Sequence, residues 1–147
     1  MEIPEYISKE EVRRVCAELG IRDWTQLTNT EVEFKEAEIL REFVGSEALE
    51  VSVDDFKQGL EVELEHGFGF TDANVTNNHP VLTGRIVLAH LKETLDYYTR
   101  LEVAELEGDL LKSLIAGDRG KLESKYRLLI EARKNLVESE VARVRET

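Results

Sequence analysis

The chain has 147 residues, 41% of them hydrophobic, enough for one globular domain with its own core rather than a disordered segment. A formal net charge of −12 excludes an electrostatic nucleic-acid surface, which needs clustered Lys and Arg. The single cysteine excludes an internal disulfide, and with no basic-apolar leader and no apolar run near ~18 residues, a cytoplasmic protein without a membrane span is expected.

Ser8-Lys9-Glu10-Glu11 has capping-box spacing and opens the first predicted helix. Val12, Val15, Cys16 and Leu19 form its apolar stripe, and Gly20 stops it. Cys16 reads as a small core residue, since no histidine lies near it and free cysteines are usually buried. Thr28 with Glu31, and Thr30 with Glu33, repeat the capping spacing, which predicts a second helix from near Thr30. Phe34, Ala37, Leu40 and Val44 would face inward, with Gly45 as the end. Ser52-Val53-Asp54-Asp55 opens a third helix with Phe56, Leu60 and Leu64 as its core face and Gly67 as its stop.

Residues 68–79 form the one long irregular stretch, and loops of that length in compact domains are often functional. Asn74, Thr76, Asn77 and Asn78 are turn formers, and His79 reads as a helix cap. Pro80 suits a first helical turn, so a fourth helix is predicted from Pro80 to about Glu93. Leu82, Val87, Leu88, Ala89 and Leu91 make it apolar nearly all round, which predicts a central position. Asp96-Tyr97-Tyr98 leads into a fifth helix, to about Ala116, with one tyrosine packed inward and the other at the surface. After a turn at Gly117-Asp118-Arg119-Gly120, a last helix at about 121–145 places Leu122, Tyr126, Leu129 and Leu136 on one face. The prediction is an all-α single domain over 1–147, with about six helices and a terminal αα-hairpin over about 96–146. Residues 119–147 carry 8 basic and 5 acidic side chains, whereas residues 1–67 carry 7 and 18. That asymmetry suits solvated helix faces or an acidic partner.

All three histidines lie between positions 66 and 90. Glu63-x-x-His66 and His90-x-x-Glu93 mirror one another, and i, i+3 residues are neighbours on a helix. Each pair lies at the edge of an apolar face, and a buried carboxylate must be paired, hydrogen-bonded or metal-bound. Glu-x-x-His on facing helices is the ligand pattern of iron and manganese carboxylate bundles, and zinc accepts a similar set. Glu63, His66, His90 and Glu93 are therefore candidate ligands for a divalent metal (Zn, Fe or Mn). The same four residues also suit a hydrogen-bond network that fixes helix register. No glycine-rich phosphate loop, Gly-x-Ser-x-Gly elbow or Cys-x-x-Cys pair is present, so no reaction is implied.

Glu61-Val-Glu-Leu-Glu-His-Gly67, Asn74-Val-Thr-Asn-Asn78, Thr83-Gly-Arg-Ile-Val-Leu-Ala-His-Leu-Lys-Glu93 and Asp96-Tyr-Tyr-Thr-Arg-Leu101 together resemble a bacterial and viral family of domains without an assigned activity. The resemblance covers about residues 55–102 and implies no mechanism. The chain departs from that pattern at Asn78 and His79, where the family tends to acidic residues, and at Leu95, where proline is common. Two functional expectations follow. One is a small helical protein holding a divalent metal. The other is a non-catalytic interaction or oligomerisation module that pairs through the terminal hairpin, as a homo-oligomer or with another protein.

Overall fold

The computed structural model describes residues 6–45 and 50–145. They form six α-helices: α1 (Lys9–Leu19), α2 (Phe34–Val44), α3 (Val53–Gly69), α4 (Pro80–Glu93), α5 (Tyr97–Ile115) and α6 (Arg119–Arg145). Short 3-10 turns cover Trp24–Gln26 and Thr71–Ala73. No strand occurs among the described residues, so the fold class is all-α. The chain divides into two compact units, Met1–Leu95 and Asp96–Thr147.

In the first unit the local signals act as expected at most helix ends. The Ser8 hydroxyl accepts the Glu11 N–H at 3.2 Å, and Gly20 closes α1 in the left-handed region at φ 67°. The Ser52 hydroxyl accepts the Asp55 N–H at 3.0 Å and starts α3. Two ends differ. Helix α2 starts at Phe34, not near Thr30, because the capping box is made by Glu33 and Glu36. The Glu36 carboxylate accepts the Glu33 N–H at 3.0 Å, and Arg22 and Trp24 hold that carboxylate in place. Phe34, at the first position of the helix, is exposed rather than inward. Helix α3 runs past Gly67 to Gly69. Gly67 is not a stop but lies inside the helix, where a side chain would overlap the Asn78 Oδ1 of the following loop.

Helix α4 keeps its predicted bounds. The His79 ring accepts the Leu82 N–H at 3.4 Å, so His79 is the cap, and Pro80 follows it. Helix α4 packs on α1, α2 and α3, as a central helix should. It is not covered all round, since Arg85, Ile86, Ala89, Lys92 and Glu93 face outward. Val12, Trp24, Leu40, Phe56, Leu60, Leu64, Val87 and Leu91 are sealed in this unit. Each such side chain contributes about 1.5–3 kcal/mol relative to exposure.

The second unit is the αα-hairpin of α5 and α6, turned at Gly117 with φ 67°. Asp118 caps α6 by accepting the Lys121 N–H at 2.9 Å, so the helix begins at Arg119 rather than near 121. Its buried cluster is Leu106, Leu129 and Ala132, bordered by Val103 and Leu110. Ion pairs tie the two helices together: Asp109 to Lys125 and Glu107 to Arg133, each at 2.7 Å, and Arg100 to Glu140 at 2.7 Å.

Candidate functional site

Glu63 lies on the edge of α3 that meets α4, and its side chain is 11% exposed. Its Oε1 is 2.9 Å from the Nδ1 of His90 on α4, one turn of that helix before its end. A carboxylate oxygen accepts, so this bond puts a ring proton on Nδ1. Its Oε2 is 3.8 Å from the Nδ1 of His66, beyond hydrogen-bond reach but close enough for charge attraction once the ring is protonated. The i, i+3 spacing seen in the sequence thus brings His66 to Glu63, and helix packing adds His90. Glu93 does not join them; it is exposed on α4. His66 is 55% exposed and His90 28%, so the cluster opens to solvent on its imidazole side. Among the described residues, no group of three or more His, Cys, Asp or Glu is placed to hold a metal ion.

Glu63 and His66 also line a pocket of about 130 Å³ between α3, α4 and the loop, with Thr83 and Ile86 on its α4 side. The loop is fastened by two asparagines. Asn74 Nδ2 donates to the Gly67 carbonyl at 3.3 Å and to Asn78 Oδ1 at 2.9 Å. Asn77 and Asn78 both take positive φ, 49° and 57°, which asparagine tolerates better than most residues. Asn77 Nδ2 also donates to the Ile7 carbonyl, tying the loop to the segment before α1. The loop residues therefore fasten a chain crossing over Gly67; they make turns, as their type suggests, and also a side-chain clasp.

Two charged clusters escaped the sequence reading as sites. Glu36, buried on α2, accepts from the Arg22 backbone N–H at 3.1 Å, from Arg22 Nη2 at 2.7 Å and from Trp24 Nε1 at 3.4 Å. Burial alone would raise its carboxyl, but the hydrogen bonds from Arg22 and from the Glu33 and Arg22 backbones outweigh it and hold it below the usual value. In the hairpin, the side chain of Asp96 is 1% exposed and sits between Arg100 at 2.8 Å and Arg143 at 3.1 Å. Asp-Tyr-Tyr-x-Arg is thus an i, i+4 ion pair at the open end of the hairpin. Tyr98 is buried and Tyr97 half-buried, their rings edge-to-face at 5.2 Å. Cys16 is buried, burial pushes its thiol up, and it accepts the Trp24 N–H at 3.5 Å, so it is a core residue rather than a nucleophile.

The hairpin carries most of the exposed apolar surface. Near its turn, Leu110, Leu111, Leu114, Leu122 and Tyr126 line an open apolar groove of about 620 Å³. Along α6, Tyr126, Ile130, Val137 and Val141 are all exposed. At 3.6 residues per turn these four fall within an arc of about 60°. The buried residues Leu129 and Ala132 lie on a different side of α6, so this helix has two apolar faces and one is uncovered. No helix among the described residues is long and apolar enough to cross a membrane.

The chain belongs to the family described as "Protein of unknown function (DUF5661)", whose model matches residues 12–107. The match reaches beyond residues 55–102, beginning within α1, taking in α2 and ending within α5. No curated protein and no solved structure matches the chain.

Proposed function

We propose that this DUF5661 member is a non-catalytic association module whose hairpin is its interface. In this reading the Glu63–His90 bond is structural and holds α3 and α4 in register. One observation carries the reading: the second, uncovered apolar face of α6, continuous at Tyr126 with the groove near the turn. Contiguous exposed apolar surface of this kind marks interaction sites far more than singly scattered residues do. A photo-crosslinking side chain at Val137, compared with one at exposed Glu38 on α2, tests it in the native host. The expected result is a discrete crosslinked protein from position 137 and none from position 38. No product from 137, with the protein folded and present, overturns the reading.

A second reading is a divalent metal (Zn, Fe or Mn) at Glu63, His66 and His90: both imidazoles approach one carboxylate, and the three side chains would have to close further to hold an ion. Glu93 has no part in it. Elemental analysis of untagged protein beside a His66→Ala, His90→Ala variant decides it. Near-stoichiometric metal that disappears in the folded variant supports the metal. A metal-free parent that added Zn, Mn or Fe does not stabilise removes it.

A further inference from the structure

We infer that the occupant of the hairpin face is a second copy of this chain, paired so that α5 of one copy lies beside α6 of the other. The inference rests on the association reading above and adds the partner and the arrangement. Charge supplies the argument. Helix α5 carries four acidic and two basic side chains, whereas α6 carries four acidic and eight basic. The two helices are therefore of opposite sign. Within one chain they already recognise each other through Asp109–Lys125, Glu107–Arg133 and Arg100–Glu140.

Two hairpins related by a two-fold axis make a four-helix bundle. If each α5 is beside its own α6 and the partner copy's α6, both like-charged pairs lie on diagonals. Every adjacent pair then has opposite sign. The same recognition that closes the hairpin within a chain is reused between chains. Exposed Arg127 and Lys134 flank the α6 stripe, and exposed Glu105 lies on α5, so the helices carry surface charge of the signs this pairing needs. The stripe of Tyr126, Ile130, Val137 and Val141 repeats at four- and seven-residue steps, which is a spacing that fills a bundle core.

The size places the interface among small, reversible contacts. Helix α5 has 19 residues, so it is about 28 Å long. A face two helices wide offers roughly 560 Å² per copy, at the low end of specific interfaces. Self-association in the micromolar range is therefore expected.

The experiment is the solution mass of the full chain from about 1 to 300 µM, measured by sedimentation equilibrium, for the parent and an Ile130→Glu, Val137→Glu variant. Both positions are half-exposed, so the variant should keep its helical signal. The expected result is a parent that moves from 16.8 kDa to twice that mass, and a variant at least about tenfold weaker. A parent that stays monomeric throughout overturns self-pairing; the association reading then stands or falls on whether Val137 crosslinks a protein of different mass. A variant that dimerises as tightly as the parent places the interface elsewhere and overturns both. Mass that grows without limit overturns the closed two-fold arrangement.

Discussion

In the first unit, Trp24, Leu40, Phe56, Leu60, Leu64 and Leu91 are all sealed from solvent, whereas in the hairpin Leu129 is the one large side chain among the described residues sealed to that degree. The reason is geometric. Four helices and their connections surround a side chain on every side, as α1, α2 and α3 do around the inner face of α4. Two antiparallel helices meet along one line and leave the remaining faces open. The hairpin compensates with ion pairs, including a buried Asp96 between two arginines, and still leaves Ile130, Val137 and Val141 uncovered. A small apolar core and exposed pairs, each worth about 0–1 kcal/mol, give modest stability alone. The first unit thus has the burial of an independent domain, and the hairpin has the surface of half a bundle.

The largest expected effect breaks the first side of that contrast. Phe56→Ala removes a fully buried ring and should cost the first unit about 3–5 kcal/mol. Trp24 is the only tryptophan and is buried in this unit, so its fluorescence in a urea titration reports this unit selectively. The fluorescence transition should move to much lower urea, while a helical component in far-ultraviolet dichroism persists from the hairpin. Equal movement of both signals would show that the two regions fold as one.

Asp96→Asn acts on the other side. It leaves Arg100 and Arg143 facing a neutral amide, and both arginines are about half-exposed, so water takes over part of their pairing. A loss of about 1.5–3 kcal/mol is expected, in the hairpin alone. The dichroism-detected hairpin transition should weaken with the Trp24 transition unchanged. A shift of the Trp24 transition would tie Asp96 to the stability of the first unit.

How much of this was legible in the sequence follows the range of each interaction. The starts of α1, α3 and α4 are set by residues within a turn of the boundary: Ser8, Ser52, His79 and Pro80. Local spacing reads those correctly. The start of α2 depends on Arg22 and Trp24 gripping Glu36 across a connection, and no periodicity marks such a grip. Gly67 looks like a stop because glycine often is one; its actual constraint, contact with Asn78, depends on the path of the loop. The site divides in the same way. Glu63 and His66 are neighbours by spacing alone, and His90 reaches Glu63 because α3 and α4 pack side by side. Glu93 shares the mirror-image spacing but faces outward, which sequence symmetry could not show.

Glu36 sharpens the contrast through pH. Its folded carboxyl is held below the ordinary 4.5 by the Arg22 and backbone hydrogen bonds, against the effect of burial. A depressed carboxyl contributes stability that is complete above the unfolded value and is lost as pH falls through the folded one. Glu36→Gln should cost the first unit about 1–2 kcal/mol at neutral pH. It should also flatten the fall in the Trp24-detected stability below pH 4.5, with the hairpin's acid response unaltered. An unchanged acid profile would assign the first unit's acid sensitivity to other carboxylates.

His79 gives the smallest effect and the most local test. The side chain is buried at the start of α4 and accepts the Leu82 N–H, which only a neutral ring can do. Burial depresses its protonation, Glu11 opposes this, and Arg14 and Arg85 add to it, so its folded value lies below 6.5. The sign is that of a group kept neutral by folding. Its contribution is complete above pH 6.5 and is lost as pH falls through the lower folded value. The cap is worth about 1 kcal/mol, so the first unit should weaken by that order as pH falls from 6.5 through the lower folded value, while the hairpin does not respond. His79→Asn keeps a capping oxygen and removes this titration, so the fall over the same interval should shrink relative to the parent. Imidazole resonances followed by NMR should place the His79 midpoint below 6.5. A midpoint at or above that value would mean that Glu11 rather than burial governs the ring, and the loop's attachment to α4 would then strengthen, not weaken, in acid.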